Sequence, residues 1–195
     1  MSGSDANAPV TIATGIPVFD GHNDTLLDLP LTGRSFFERS DQGHIDLPRA
    51  RAGGLGGGFF AVFIRDPEVA ETAPTPDADG DDATTAIAAR TSSRYSDPDN
   101  LPPAMSLEYA QREAMRTVAS LFRLEAAADG AAKVVRSVGE LRACLADGTL
   151  AMELHFEGAE AIDPDFEALE VYYRAGLRSL GITWSRPNRF GYGVP

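Results

Sequence analysis

The chain has 195 residues, 29 of them acidic and 17 basic, and its net charge of −12 argues against a surface built for nucleic acid or an anionic membrane while leaving it able to hold metal cations. An apolar fraction of 43% is that of an ordinary globular protein with one substantial core, and no uninterrupted apolar run approaches the roughly 20 residues of a membrane span. Cys144 is the only cysteine, so no internal disulfide can form, and its Leu-Arg-Ala-Cys-Leu setting marks a buried helix position rather than a nucleophile.

Residues 1–9 read as a disordered tail with neither the basic start nor the apolar stretch of a secretory signal, which makes the cytoplasm the expected location. A first strand is expected at about 16–20, running into His22-x-Asp24. Strand side chains alternate between faces, so Asp20, His22 and Asp24 share one face just where strand gives way to loop. Imidazole and carboxylate two positions apart can reach one divalent cation, and that is the ligand mixture of hydrolytic zinc. A polar turn or helix cap made by the same two residues is the alternative. Phe36 to Ala52 reads as a short helix or turn, with His44 in a cap or surface role.

Gly53 to Gly58 does not match a phosphate loop, because no Lys-Ser/Thr follows and the stretch precedes a strand instead of following one. Close backbone packing accounts for it. Phe59 to Ile64 then reads as a buried strand of continuous apolar character. Residues 66–104, dense in Asp, Pro, Thr, Ser and Ala, read as a flexible insertion on the strand-to-helix side, either a lid or a floppy loop. Ser106 can cap a strong helix in which Leu107, Ala110, Ala114, Val118 and Leu121 recur at helical spacing until Gly130. A brief strand at Ala132 to Val135 follows, and Ser137-Val-Gly-Glu140 has the spacing of a capping box that opens a short helix ending before Gly148.

Ala151 to Glu157 reads as a strand with Met152, Leu154 and Phe156 on one face and Glu153, His155 and Glu157 on the other. Such an ionisable row is buried only with partners or a metal; otherwise it is the solvated face of an edge strand. Glu157 stands at the strand's end, where its carboxylate could bridge two metal ions, and Gly158 would admit close backbone approach. A helix follows with Asp163 as cap, Pro164 in its first turn, Phe166, Leu169 and Tyr173 inward, and Gly176 at its end; Arg178 to Trp184 forms the last strand. Alternation of strand and helix implies a parallel sheet with helices outside, whose ligands bind at the strands' C-terminal ends. His22, Asp24, Glu157 and Trp184 all fall at such ends.

Phe19-Asp-Gly-His-Asn-Asp24, Leu47-Pro-Arg-Ala-Arg-Ala-Gly-Gly54, Phe156-Glu-Gly158 and Gly176-Leu-Arg-Ser-Leu-Gly-Ile-Thr183, in that order from about residue 16 onward, resemble the membrane dipeptidase (renal dipeptidase) family. The resemblance implies a two-zinc peptidase on a (β/α)8 TIM-type barrel that cleaves dipeptides, with residues 10–195 as the N-terminal part of that domain. It implies that His22 and Asp24 bind one zinc and that Glu157 bridges both. Two further histidine ligands, a substrate-binding arginine and a late aspartate would lie beyond Pro195, and the chain's three histidines, His22, His44 and His155, offer no replacement pair. A barrel of this type usually needs roughly 250 residues, so the expected fold is a partial barrel. Where the family's fourth strand ends in Thr-His, with the His on substrate, this chain has Thr183-Trp184, so Trp184 becomes either a variant substrate wall or core.

These readings lead to a zinc-dependent dipeptidase whose 195-residue chain is inactive by itself and open to a homodimer or a complementing C-terminal half. No acid that protonates the leaving amine can be assigned. The alternatives are an amidohydrolase-type metal hydrolase, which usually begins with His-x-His, and a non-catalytic remnant or binding module.

Overall fold

A computed structural model describes residues 15–66 and 103–193. The expected tail at 1–9 and all but the ends of the expected insertion at 66–104 lie outside the described residues. Among the described residues five strands and five helices follow one another: β1 (Val18–Asn23), α1 (Thr25–Thr32), α2 (Leu47–Ala52), β2 (Leu55–Val62), α3 (Leu107–Ala127), β3 (Ala132–Val134), α4 (Val138–Asp147), β4 (Leu150–Phe156), α5 (Glu167–Ala175) and β5 (Leu177–Leu180).

Every strand pairing is parallel, as the alternation requires. β4 is central. Its one edge pairs with β2 from Gly57↔Ala151 to Val62↔Phe156, and β1 lies beyond β2. The other edge of β4 is shared, with β3 along its first half and β5 along its second. The order β1, β2, β4, β5 thus steps steadily sideways with the chain, the arc of a barrel-type sheet, and β3 fills a short gap at its base. Met152, Leu154 and Phe156 are buried together with Phe60, Val62, Leu121 and Phe36 in one core, while Glu153, His155 and Glu157 are half-buried, as the strand's two-residue period requires.

Glycines at 56, 57 and 58 belong to β2 itself, so the strand begins earlier than Phe59. A Cβ on Gly57 would meet the Ala151 carbonyl oxygen at 2.6 Å, and one on Gly58 would meet Asp20 Cβ at 2.9 Å. Close approach of neighbouring strands is therefore the reason for the run. α1 was not foreseen, because Pro30 lies within it; its last turn closes on the left-handed Gly33. β5 stops at Leu180 rather than at Trp184.

α5 differs from its expected face by one position. Tyr172 is buried and stacks edge-on against Phe156, whereas Tyr173 and Phe166 are each about half exposed. The helix starts only at Glu167, after Phe166 adopts a left-handed φ of 61°; Leu169 packs against the core as expected, while Tyr172 takes the inward place expected of Tyr173. Asp163 still serves the helix start from a distance, accepting hydrogen bonds from the amides of Asp165, Glu167 and Ala168.

Candidate metal centre

Two strand ends and one helix start bring the site together. β1 loses its regular register between Asp20 and Asn23, which breaks the two-residue alternation. Asp20 therefore does not join His22 and Asp24; it accepts a hydrogen bond from Asn23 Nδ2 at 3.0 Å. Asn23 in turn offers Oδ1 to the Thr25 amide at 3.3 Å, serving the first turn of α1. Asp24 occupies the N-cap of α1, and its carbonyl accepts from Leu27 and Asp28, yet its side chain makes no cap hydrogen bond. That carboxylate is turned to His22 instead.

His22 Nε2 lies 3.4 Å from Asp24 Oδ1 and 3.7 Å from Glu157 Oε2, and one ligand atom from each of the three residues falls within 4.8 Å of the other two. Among the described residues this is the only group of three or more His, Cys, Asp or Glu side chains with such spacing. Zinc–nitrogen and zinc–oxygen bonds of about 2.0–2.1 Å place tetrahedral ligands about 3.4 Å apart. The two separations from His22 fit that edge length with little adjustment, and the distance between the two carboxylates, within 4.8 Å, can close to it on binding an ion. Burial pushes the Glu157 carboxyl up to about 7; His22 opposes the rise, and the negative charges of Asp24 and Glu160 add to it. Such crowding of acids around one imidazole is relieved by a divalent cation.

Further residues surround the three, and of these the parity of β4 marks only His155. His155 stacks on Phe59 with ring centres 5.7 Å apart, meets His22 edge-on at 5.8 Å, and has Nδ1 2.8 Å from Ser179 Oγ. Burial, with His22 nearby, pulls its pKa down, so it stands neutral beside the cluster. Glu160 is pushed up chiefly by burial, and a Cβ on Gly158 would collide with its carboxylate. Gly158 thus makes room for a side chain rather than for backbone. Arg186 is almost fully buried; its Nη1 donates to the Ile64 carbonyl at 3.2 Å and its Nη2 lies 3.7 Å from Asp66 Oδ2, tying the segment after β5 to the end of β2. These contacts link residues far apart in sequence, and only the hydrophobic and ionisable parity of β4 hinted at them.

Trp184 lies beyond β5, packed edge-on against Phe63 with ring centres 5.5 Å apart, and stays 37% exposed. It is neither a core residue nor part of the acid–imidazole group. His44 is exposed in the loop before α2. Cys144 is buried in α4, where burial raises its thiol pKa.

The family model for membrane dipeptidase, peptidase family M19, matches residues 8–194. A metallopeptidase from Rhodobacter sphaeroides, solved with a phosphinate mimic of the dipeptide L-Ala-D-Ala, superposes with a TM-score of 0.74 at 41% identity over 92% of this chain and 49% of its own. A metallopeptidase of family M19 described as dipeptidase AC gives 0.73 at 41% identity over 92% and 48%. A probable dipeptidase from Pseudomonas aeruginosa shares the fold, with a TM-score of 0.61 at 19% identity over 89% of this chain and 36% of its own. An uncharacterized protein of Acinetobacter calcoaceticus, from the PQQ-III 3' region, is 32% identical over 92% of this chain and 52% of its own length. The chain spans about half the length of the relatives it matches.

Proposed function

Because the chain belongs to the membrane dipeptidase family, peptidase family M19, we propose that its residues build one side of the active site of a zinc-dependent dipeptidase. The observation that carries this reading is the meeting of His22, Asp24 and Glu157 at the C-terminal ends of two parallel strands, at separations that suit one cation. His22 and Asp24 would hold a first zinc, and Glu157 would reach both that ion and a second one. Bound zinc supplies a Lewis acid and an activated water near neutral pH. The protein's part is to hold these ligands on rigid elements: Asn23 serves the start of α1 so that the Asp24 carboxylate stays free, and Gly158 leaves space for Glu160 beside Glu157. Trp184, packed on Phe63, would offer an apolar wall to a dipeptide side chain.

Among the described residues three side chains would serve as ligands, at a site that is well exposed on the side of His22 and Asp24, with side-chain exposures of 39% and 60%. We therefore expect the chain to bind one zinc and to hydrolyse no dipeptide unaided. The test is zinc titration of the metal-free chain against a chromophoric chelator, together with an assay on L-Ala-D-Ala. Saturable binding that weakens at least tenfold in His22→Ala and Glu157→Gln supports the site. Binding indifferent to both substitutions would sink it and favour a non-catalytic module, and robust turnover would sink the expectation of inactivity alone.

A further inference from the structure

A cavity of about 370 Å3 lies where α1, α3 and the end of β2 meet, and none of the three candidate zinc ligands lines it. Its size falls within the range of small-molecule sites, about 300–1,000 Å3. Leu26, Leu27, Pro30 and Phe63 give it an apolar wall. The lining also includes three arginines, Arg65, Arg116 and Arg123, against one acidic residue, Glu113. Glu113 is already engaged, 2.7 Å from Arg116 Nη1 and 3.4 Å from Arg112 Nε. On a chain of net charge −12 this is a local reversal of sign.

Arg65 is the informative member. Its Nη2 donates to the Leu27 carbonyl at 2.6 Å, and among the described residues no carboxylate lies within ion-pair distance of it. Asp24 and Asp28 act on it only at longer range, and Asp28 is held by Arg34. Burial pulls its pKa down, the mark of a cation that has given up water without gaining a counter-ion. Its other N–H groups are not sealed into protein, since Arg34 Nη1 is the only described side-chain nitrogen or oxygen buried without a partner. They are open to whatever fills the cavity. The hydroxyls on the wall are spent: Tyr109, Thr117 and Ser120 donate to the carbonyls of Arg65, Glu113 and Thr117. Recognition therefore falls to the guanidinium groups, whose planar forks suit oxyanions.

We propose that this cavity binds a small amphiphilic anion, a carboxylate or phosphate monoester with an apolar body, its head on Arg65 and Arg123 and its body against Leu26, Leu27, Pro30 and Phe63. The site is independent of zinc. The test is calorimetric titration of the metal-free chain with phenyl phosphate and with phenylacetate, beside inorganic phosphate and neutral phenol. Saturable one-to-one binding is expected for at least one of the two amphiphiles, with a dissociation constant of roughly 1 mM or tighter. Inorganic phosphate should bind at least tenfold more weakly, and phenol not measurably. Arg65→Gln and Arg123→Gln should each weaken binding at least fivefold, while Arg142→Gln, exposed on α4 and outside the cavity, should leave it unchanged. Arg123 is exposed and bears on no buried contact, so its variant keeps the test decisive even where Arg65→Gln fails to fold. Failure of both amphiphiles to saturate, equal binding of phenol, or indifference to Arg123→Gln would overturn the proposal.

Discussion

Asp24 and Asp46 show what one side chain can be used for. Both stand at helix N-caps, but Asp46 is fully buried and spends its carboxylate on structure, accepting from the amides of Arg49 and Ser40 and from Arg49 Nε at 2.5 Å. Burial pushes its pKa up, yet those hydrogen bonds and the Arg49 charge outweigh burial and hold it below its ordinary value. Asp24 forgoes a cap worth about 1 kcal/mol and leaves its carboxylate exposed beside His22. Asp46→Asn should therefore cost about 2 kcal/mol in a urea melt, because hydrogen bonds to a charged acceptor are lost in the interior. Asp24→Asn should change stability by under about 0.5 kcal/mol while weakening zinc binding at least tenfold. The pH dependence has a definite sign. A carboxyl depressed on folding stabilises above its unfolded value of about 3.9 and loses that contribution as pH falls through the folded value. The urea midpoint should thus drop below about pH 4, and Asp46→Asn should make that drop shallower; an unchanged slope would count against the assignment.

At the scale of elements, the strand glycines separate close approach from mere permissiveness. A Cβ on Gly57 would strike the Ala151 carbonyl oxygen of the neighbouring strand, an atom fixed by the pairing of β2 with β4. Gly57→Ala should cost about 3 kcal/mol by chemical denaturation. Gly139, in the first turn of α4, has only Ser137 Oγ nearby, at 3.8 Å, so Gly139→Ala should stabilise by roughly 0.5 kcal/mol. Equal effects at the two sites would show that strand spacing is not what requires glycine. Sequence was legible where a cap or a strand's parity is the cause. Ser106 and Ser137 cap α3 and α4 as their spacing implies, and the parity of β4 separates Met152, Leu154 and Phe156 from the ionisable row. It was not legible where geometry overrides period: the break in β1 that removes Asp20, and the left-handed Phe166 before α5, where Tyr172 takes the inward place expected of Tyr173. Nor can local pattern reveal His155 on Ser179 or Arg186 against Asp66, since each pair joins different strands or their ends.

For the whole molecule, the decisive feature is a parallel sheet that the described residues cover fully on one face and only partly on the other. Parallel sheets are normally covered on both sides, and here the helices cover one while Glu153, His155 and Glu157 on the other remain only half-buried. Among the described residues β1 pairs only with β2 and β5 only with β4, so each keeps an open edge. Apolar side chains gather at those edges: Val18 is 55% exposed on β1, and Leu180 and Ile182 are 37% and 58% exposed on and just beyond β5. Open edges and exposed apolar surface favour association, and the net charge of −12 opposes it. Which wins depends on screening, because the Debye length falls from about 30 Å at 0.01 M salt to about 8 Å at 0.15 M. The chain should therefore sediment near its monomer mass of 20.7 kDa in dilute buffer and associate as salt rises. Val18→Lys, placing a charge on the open edge of β1, should restore the monomer at the higher salt. A chain that stays monomeric at every salt concentration up to about 100 μM protein would mean that the sheet's open face and edges are already protected, and that the arc of strands is stable without a partner to complete it.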